Sequence, residues 1–262
     1  MSLLISSAGT AHYLKQNQAN LQESLNRLSS GKRINGGADD PGGLAVAMKL
    51  GASVKRLTGA QNNVQNALSF MEVQDGLLKS AGEIVTRISE LKGLHGDDPL
   101  KSQANRDSYN TELVDLAVQL NDMKKMTFNG VSIFNSAALT INYDEDADPD
   151  MELAATDFIG AVSTLFAATD FAALAVGTID DALQAIANLR AQNGSGQNRL
   201  NFTSESLSLQ KINISKALSR IEDVDLASES AELARHSILT QGSATMVGKA
   251  NGMNDIALVL LQ

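Results

Sequence analysis

The sequence has no cysteine, no tryptophan and only three prolines. Without cysteine the chain can form neither disulfides nor thiolate metal sites, and its redox compartment stays open. Three tyrosines and seven phenylalanines among 262 residues are too few for a conventional aromatic-rich core. Long apolar runs are missing as well. The longest, Ile256–Leu261, is far short of the roughly 20 residues that span a bilayer, so no membrane insertion is expected. The first fifteen residues carry one base, Lys15, and one apolar cluster, Leu3–Ile5, which do not read as a secretory signal peptide. Basic patches and aromatic–basic interleaving are also absent, which argues against nucleic acid as a partner.

Chemistry-bearing motifs fail one by one. His12, His95 and His236 have no carboxylate or cysteine at ligand spacing, which favours solvated or helix-surface histidines. Gly194-Ser-Gly196-Gln-Asn-Arg199 starts like a dinucleotide loop, but arginine replaces the third glycine and no strand precedes it. Before Gly248-Lys249, Ser243 stands where a phosphate loop needs glycine. Asp144, Asp146 and Asp148 have a calcium-loop texture, yet Pro149 and Ala155 occupy the positions that require glycine and glutamate. No catalytic residue, cofactor or metal site is expected, and the chain does not read as an enzyme.

What the chain does have is heptad repetition. Leu50, Leu57, Val64, Met71, Leu78 and Val85 recur every seven residues, each followed three places on by Ser53, Ala60, Ala67, Gln74, Ala81 and Ile88. That is a two-position seam on one continuous helix, roughly 60 Å long at 1.5 Å per residue. Ile179, Ile186, Asn193, Leu200, Leu207, Ile214 and Ile221 keep a second seven-residue frame. Its one polar member, Asn193, sits beside Gly194 and Gly196, where a local irregularity is expected. The fold class is therefore mainly α, a long antiparallel coiled-coil bundle formed by the two halves of the chain. Leu57, Val64, Met71 and Leu78 should be buried against Leu200, Leu207 and Ile214, with Ile221 a further member of the same seam.

Charge separates the middle from both ends. From Met126 to Leu189 there is no lysine or arginine but there are ten acids, while the remainder is almost neutral against a net charge of −9. Like charges gathered in one segment repel, so Asp144–Asp150 should face outer solvent. Short apolar stretches, Leu139–Tyr143 and Met151–Leu153, flank that acidic turn and fit a β-hairpin. Ala154–Val176 fits a helix or a packed loop.

In chain order, residues 1–38 carry a dilute helical stripe, Leu14, Leu21, Leu25 and Leu28, interrupted by Ser29-Ser30-Gly31 and Gly36-Gly37. Asp40 reads as an N-cap with Pro41 at the first helical position, and Gly93 or Gly96 can end that helix. Asp97-Asp98-Pro99 repeats the start signal. Tyr109, Leu113, Leu116, Leu120 and Met123 predict a helix over 104–126 returning along the first, with Asn129-Gly130 as its stop. Thr178–Asp181 is a capping pattern for the next helix. The expected domains are terminal helices over 1–40 and 225–262, a coiled-coil domain over 41–130 and 178–224, and a small acidic insert over 131–177.

The residues at both ends resemble those of bacterial flagellins. Leu21-Gln-Glu-Ser-Leu-Asn-Arg-Leu-Ser-Ser-Gly-Lys-Arg-Ile-Asn35, Asp39-Asp40, Gly43-Leu-Ala-Val-Ala47 and Thr127-Phe-Asn-Gly130 are similar to the family's N-terminal half. Gln197-Asn-Arg-Leu200, Ser219-Arg-Ile-Glu-Asp-Val-Asp225, Ile238-Leu-Thr-Gln241, Ala250-Asn251 and the finish Leu260-Leu261 match its C-terminal half in order. Pro41-Gly42 departs from the family's usual pair of small residues. The resemblance implies a structural subunit that polymerises into the flagellar filament for motility. It implies export of the unfolded chain through the flagellar type III apparatus, with an export chaperone and no cleaved signal, to an extracellular position. Other flagellin subunits, hook-junction proteins and cap proteins are the implied partners. Leu14, Leu21, Leu25, Leu28, Arg33 and Asp40 are the implied subunit-packing residues of the first end. Ile238, Leu239, Leu258, Leu260 and Leu261 are those of the second. Arg87 and Leu91 partly match the family's innate-receptor contact. A hook–filament junction protein of the same superfamily and a cytosolic helical adaptor are the competing functions.

Overall fold

A computed structural model describes residues 2–96, 102–134, 137–143 and 150–260. The Asp97–Pro99 start signal, most of the Asp144–Asp150 turn and Leu261 lie outside these residues, as do the side chains of Asp150, Leu258 and Leu260. The elements are helices α1 (Ser2–Ser30), α2 (Pro41–Gly96) and α3 (Gln103–Met123), then strands β1 (Thr127–Phe128), β2 (Val131–Ser132), β3 (Leu139–Asn142) and β4 (Asp150–Leu153). Helices α4 (Phe158–Phe166), α5 (Val176–Glu222) and α6 (Leu226–Leu260) follow. The chain divides into two compact units: Met1–Val54 with Ile212–Gln262, and Lys55–Lys211. The divisions fall inside α2 and α5, and residues 131–177 belong to the second unit.

Helix starts follow local chemistry. The Asp40 side chain accepts a hydrogen bond from the Gly43 amide at 2.8 Å, satisfying a donor that the first turn of α2 leaves free. α3 starts at Gln103, where Ser102 is the N-cap and accepts from the Asn105 amide. α5 starts at Val176, two residues before the Thr178–Asp181 pattern.

In the second unit, α2 and α5 run antiparallel. Met71 lies near Gln197, Gln74 near Asn193, Asp75 near Arg190, and Gly82 near Ile186. Leu57, Val64, Met71, Leu78 and Val85 are buried, as are Ala60, Ala67, Gln74, Ala81 and Ile88 beside them. Leu200 and Leu207 are buried on α5. Ile214 and Ile221 are only half-buried, contrary to expectation. They lie in the first unit, where Ile34 is the one large apolar side chain buried among the described residues. The expected irregularity at Asn193 is also absent. α5 runs unbroken from 176 to 222, and the Asn193 side chain finds a partner across the seam. Gly196 matters there for space, since Met71 Cε occupies the volume that a Cβ at 196 would need.

α3 returns along α2, with Arg87 on α2 bonded to Glu112 on α3 at 2.9 Å and Leu113, Ala117, Leu120 and Met123 buried. The middle segment is less detached than its charge implies. β3 and β4 form the expected antiparallel hairpin, with Ile141 opposite Met151 and Leu139 opposite Leu153. Helix α4 buries Phe158, Val162 and Leu165 at helical spacing, and turns follow to Ala175. Phe134 stacks on Phe158 with ring centroids 4.2 Å apart, and Phe171 is fully buried.

β1 and β2 are joined by Asn129 and Gly130, both with positive φ (50° and 80°), as a two-residue turn of this hand requires. Gly130→Ala is expected to cost about 1–2 kcal/mol, the penalty of a Cβ in the left-handed region. Urea unfolding of the two proteins side by side measures it, and an unchanged midpoint would contradict the turn geometry.

Candidate functional site

The first unit is built on α1 and α6. Their contact starts from a clasp in which the Arg33 amide donates to the Glu222 carbonyl at 2.6 Å and the Val224 amide to the Gly31 carbonyl at 3.1 Å. The Arg33 guanidinium donates to the Ile221 carbonyl at 2.7 Å. Lys32 pairs with the Glu222 carboxylate, whose hydrogen bond raises the lysine pKa above its ordinary value. Farther from the clasp Arg27 lies 3.9 Å from Glu229, and Asn17 donates to the Ser243 hydroxyl at 2.7 Å, so α1 and α6 run antiparallel.

The pair buries little. Among described side chains, α1 buries Ser24 alone from residue 9 onward, and α6 buries none up to Met253. Leu14, Leu21 and Leu28 are half-buried, Leu25 is exposed, and Ile238 and Leu239 are 69% and 43% exposed. Tyr13, Leu226, Met246 and Met253 are exposed too. Arg33 is held by the clasp and Asp40 caps α2, so both act within the chain. Two helices with apolar side chains on several sides cannot cover one another completely. Large apolar patches left open in this way mark an interaction surface.

The loop between α1 and α2 is fixed by Asp39, which accepts from the amides of Asn35 and Gly36 at 2.9 and 3.0 Å. Those hydrogen bonds hold its carboxyl below the ordinary value of 3.8. A depressed carboxyl stabilises the fold above that value and loses its contribution as the pH falls through its own, lower value. The Asn35 and Gly36 amide resonances should therefore titrate together with a midpoint below 3.8. A midpoint at or above that value would show the hydrogen bonds are not formed.

Elsewhere the sequence's candidates disperse. Leu91 is fully buried, and Arg87 is engaged by Glu112 and Glu90. The position of Leu91 in the apolar stripe of α2 explains its burial. His95 packs on the Phe171 ring, His236 lies beside Glu232, and no group of three or more metal-ligating residues occurs among the described residues. No described helix is long and apolar enough to cross a membrane.

Two family models match the chain. One, the bacterial flagellin N-terminal helical region, covers residues 1–138, and the other, the bacterial flagellin C-terminal helical region, covers 176–261. The flagellar filament 30.7 kDa core protein of Treponema maltophilum is 31% identical over 94% of this chain and 93% of its own length. A flagellin of Halalkalibacterium halodurans is 31% identical over 92% of each chain. Among solved structures, a putative flagellar hook-associated protein from Vibrio parahaemolyticus matches with a TM-score of 0.59. That match covers 71% of this chain and 100% of the other at 14% identity, and bears on the fold alone.

Proposed function

As this chain belongs to the bacterial flagellin family and is a structural subunit of the flagellar filament, we propose that α1 and α6 are the parts that join one subunit to the next. The observation that carries this reading is the contrast in burial between the two units. The seam of the second unit is closed within one chain, whereas Leu25, Ile238 and Leu239 stay open to solvent within theirs. Neighbouring subunits would supply the missing cover, with Leu14, Leu21 and Leu28 completing the same surface. The heptad seam of Leu57, Val64, Met71 and Leu78 with Leu200 and Leu207 then serves as the rigid part of each subunit. The described acids of the middle segment, Glu152, Asp157, Asp170, Asp180 and Asp181, are exposed.

On this reading the role is mechanical and not catalytic. The subunit is exported through the flagellar type III apparatus with a chaperone and works outside the cell. There it meets flagellin copies along the filament, with hook-junction and cap proteins at its ends. Electron microscopy of the purified protein after salt-induced assembly tests the central claim. Filaments are expected, and persistence of monomers under all salting-out conditions would refute it.

A further inference from the structure

Heptad seams have a weakness in specifying their own alignment. On α2 an apolar residue recurs every seven positions from Leu57 to Val85, and on α5 Ile179, Ile186, Leu200 and Leu207 do the same. Sliding one helix by seven residues along the other again sets aliphatic against aliphatic at most levels, so packing alone discriminates poorly between registers. Even the space over Gly196 that Met71 fills would then receive the smaller Val64 or the similar-sized Leu78.

Two buried members of the seam break this degeneracy. Gln74 and Asn193 are 5% and 3% exposed. The Asn193 side-chain amide donates to Gln74 Oε1 at 2.7 Å, and the Gln74 amide donates to the Ile133 carbonyl at 2.6 Å. Gln197 donates to Asn193 Oδ1 at 2.7 Å, closing the cluster. We propose that Gln74 and Asn193 are the specificity-determining pair that selects the register in which the N- and C-terminal helical halves mate. In the two registers displaced by seven residues Asn193 would face Ala67 or Ala81, and Gln74 would face Ile186 or Leu200. None of these four side chains can accept or donate a hydrogen bond, so both amides would be buried without each other. With their mutual bond lost, the Asn193 N–H donor and the Gln74 Oε1 acceptor would both be buried without a partner, which disfavours a slid register by roughly a hundredfold or more. An apolar pair at these positions would remove that penalty and add nothing to distinguish one level from the next. The inference stands on the second unit alone and does not depend on polymerisation.

The absence of native cysteine makes the register directly measurable. Asp75 and Arg190 pair across the same seam at 3.0 Å, so D75C/R190C reports the native alignment to a short thiol-specific crosslinker. D75C/L183C and G82C/R190C report the two alignments displaced by seven. In the otherwise natural chain only the first pair is expected to crosslink. Adding Q74L/N193L should leave the helical signal intact and raise crosslinking of a displaced pair at least about tenfold. Adding Q74N/N193Q instead, which exchanges the two amides, should restore the native pattern. The proposal is overturned if Q74L/N193L crosslinks only as D75C/R190C, or if it fails to fold, since the pair would then supply stability and not register. Displaced crosslinks in Q74N/N193Q equal to those in Q74L/N193L would also overturn it.

Discussion

Leu200→Ala is expected to destabilise the protein by about 2–5 kcal/mol, the range for a large-to-small change at a well-packed site. Leu200 has no exposed surface and occupies the α5 side of the antiparallel seam, between Asn193 and Leu207 in the seven-residue frame. Truncation removes its transfer free energy and leaves a cavity that two rigid helices cannot close by collapsing. Leu209, two residues beyond Leu207 on the same helix, is 57% exposed, and Leu209→Ala should cost about 0.5 kcal/mol or less. Urea unfolding followed by helical circular dichroism distinguishes the two. Equal costs at 200 and 209 would mean that the seam does not carry the stability of the second unit.

Removing α6 should abolish polymerisation while the second unit stays folded. A chain ending at Glu222 keeps every residue of the 55–211 unit, including the buried Leu57, Val64, Leu78, Leu200 and Leu207. It loses the helix whose described side chains are all at least partly open to solvent. Its melting midpoint should move little, yet sedimentation should find no polymer at protein and salt concentrations that assemble the full chain. The intact protein makes the companion case. Burial that depends on neighbours stabilises only the assembled state, so α1 and α6 should be cleaved rapidly by trypsin in the monomer and slowly in the filament. Polymer formation by the truncated chain, or equal trypsin resistance of the ends in both states, would sink this assignment.

The seam is legible in the sequence because a heptad names the buried face of a helix whatever the partner. It does not name how a polar level of that face is satisfied. Asn193 beside glycines reads locally as a break, and its partner Gln74 lies 119 positions away, where no local pattern connects the two. Leu91 shows the opposite case. The resemblance implies a contact role for it, and it continues the α2 stripe of Val85 and Ile88, all three side chains being fully buried. A short motif carries no record of which way its helix faces, whereas the stripe around it does. The middle segment is the least legible. Its aromatic residues have no sustained period, and the contact of Phe134 with Phe158 joins a turn to a helix.

The pairing of distant partners has a consequence in time. Lys32 and Glu222 of the clasp are 190 positions apart, and the amides of Gln74 and Asn193 are 119 apart. At roughly 5–20 residues per second, ribosomal synthesis leaves Gln74 without Asn193 for about 6–24 s. For that interval α2 has emerged with its apolar face unmatched, long enough to meet another nascent chain. Ser53, Ala60, Ala67 and Ala81 make the waiting face less adhesive than leucines would, because each exposes little apolar area. The short side chains of the seam should therefore also lower the tendency of the first half of the molecule to aggregate before the second half exists.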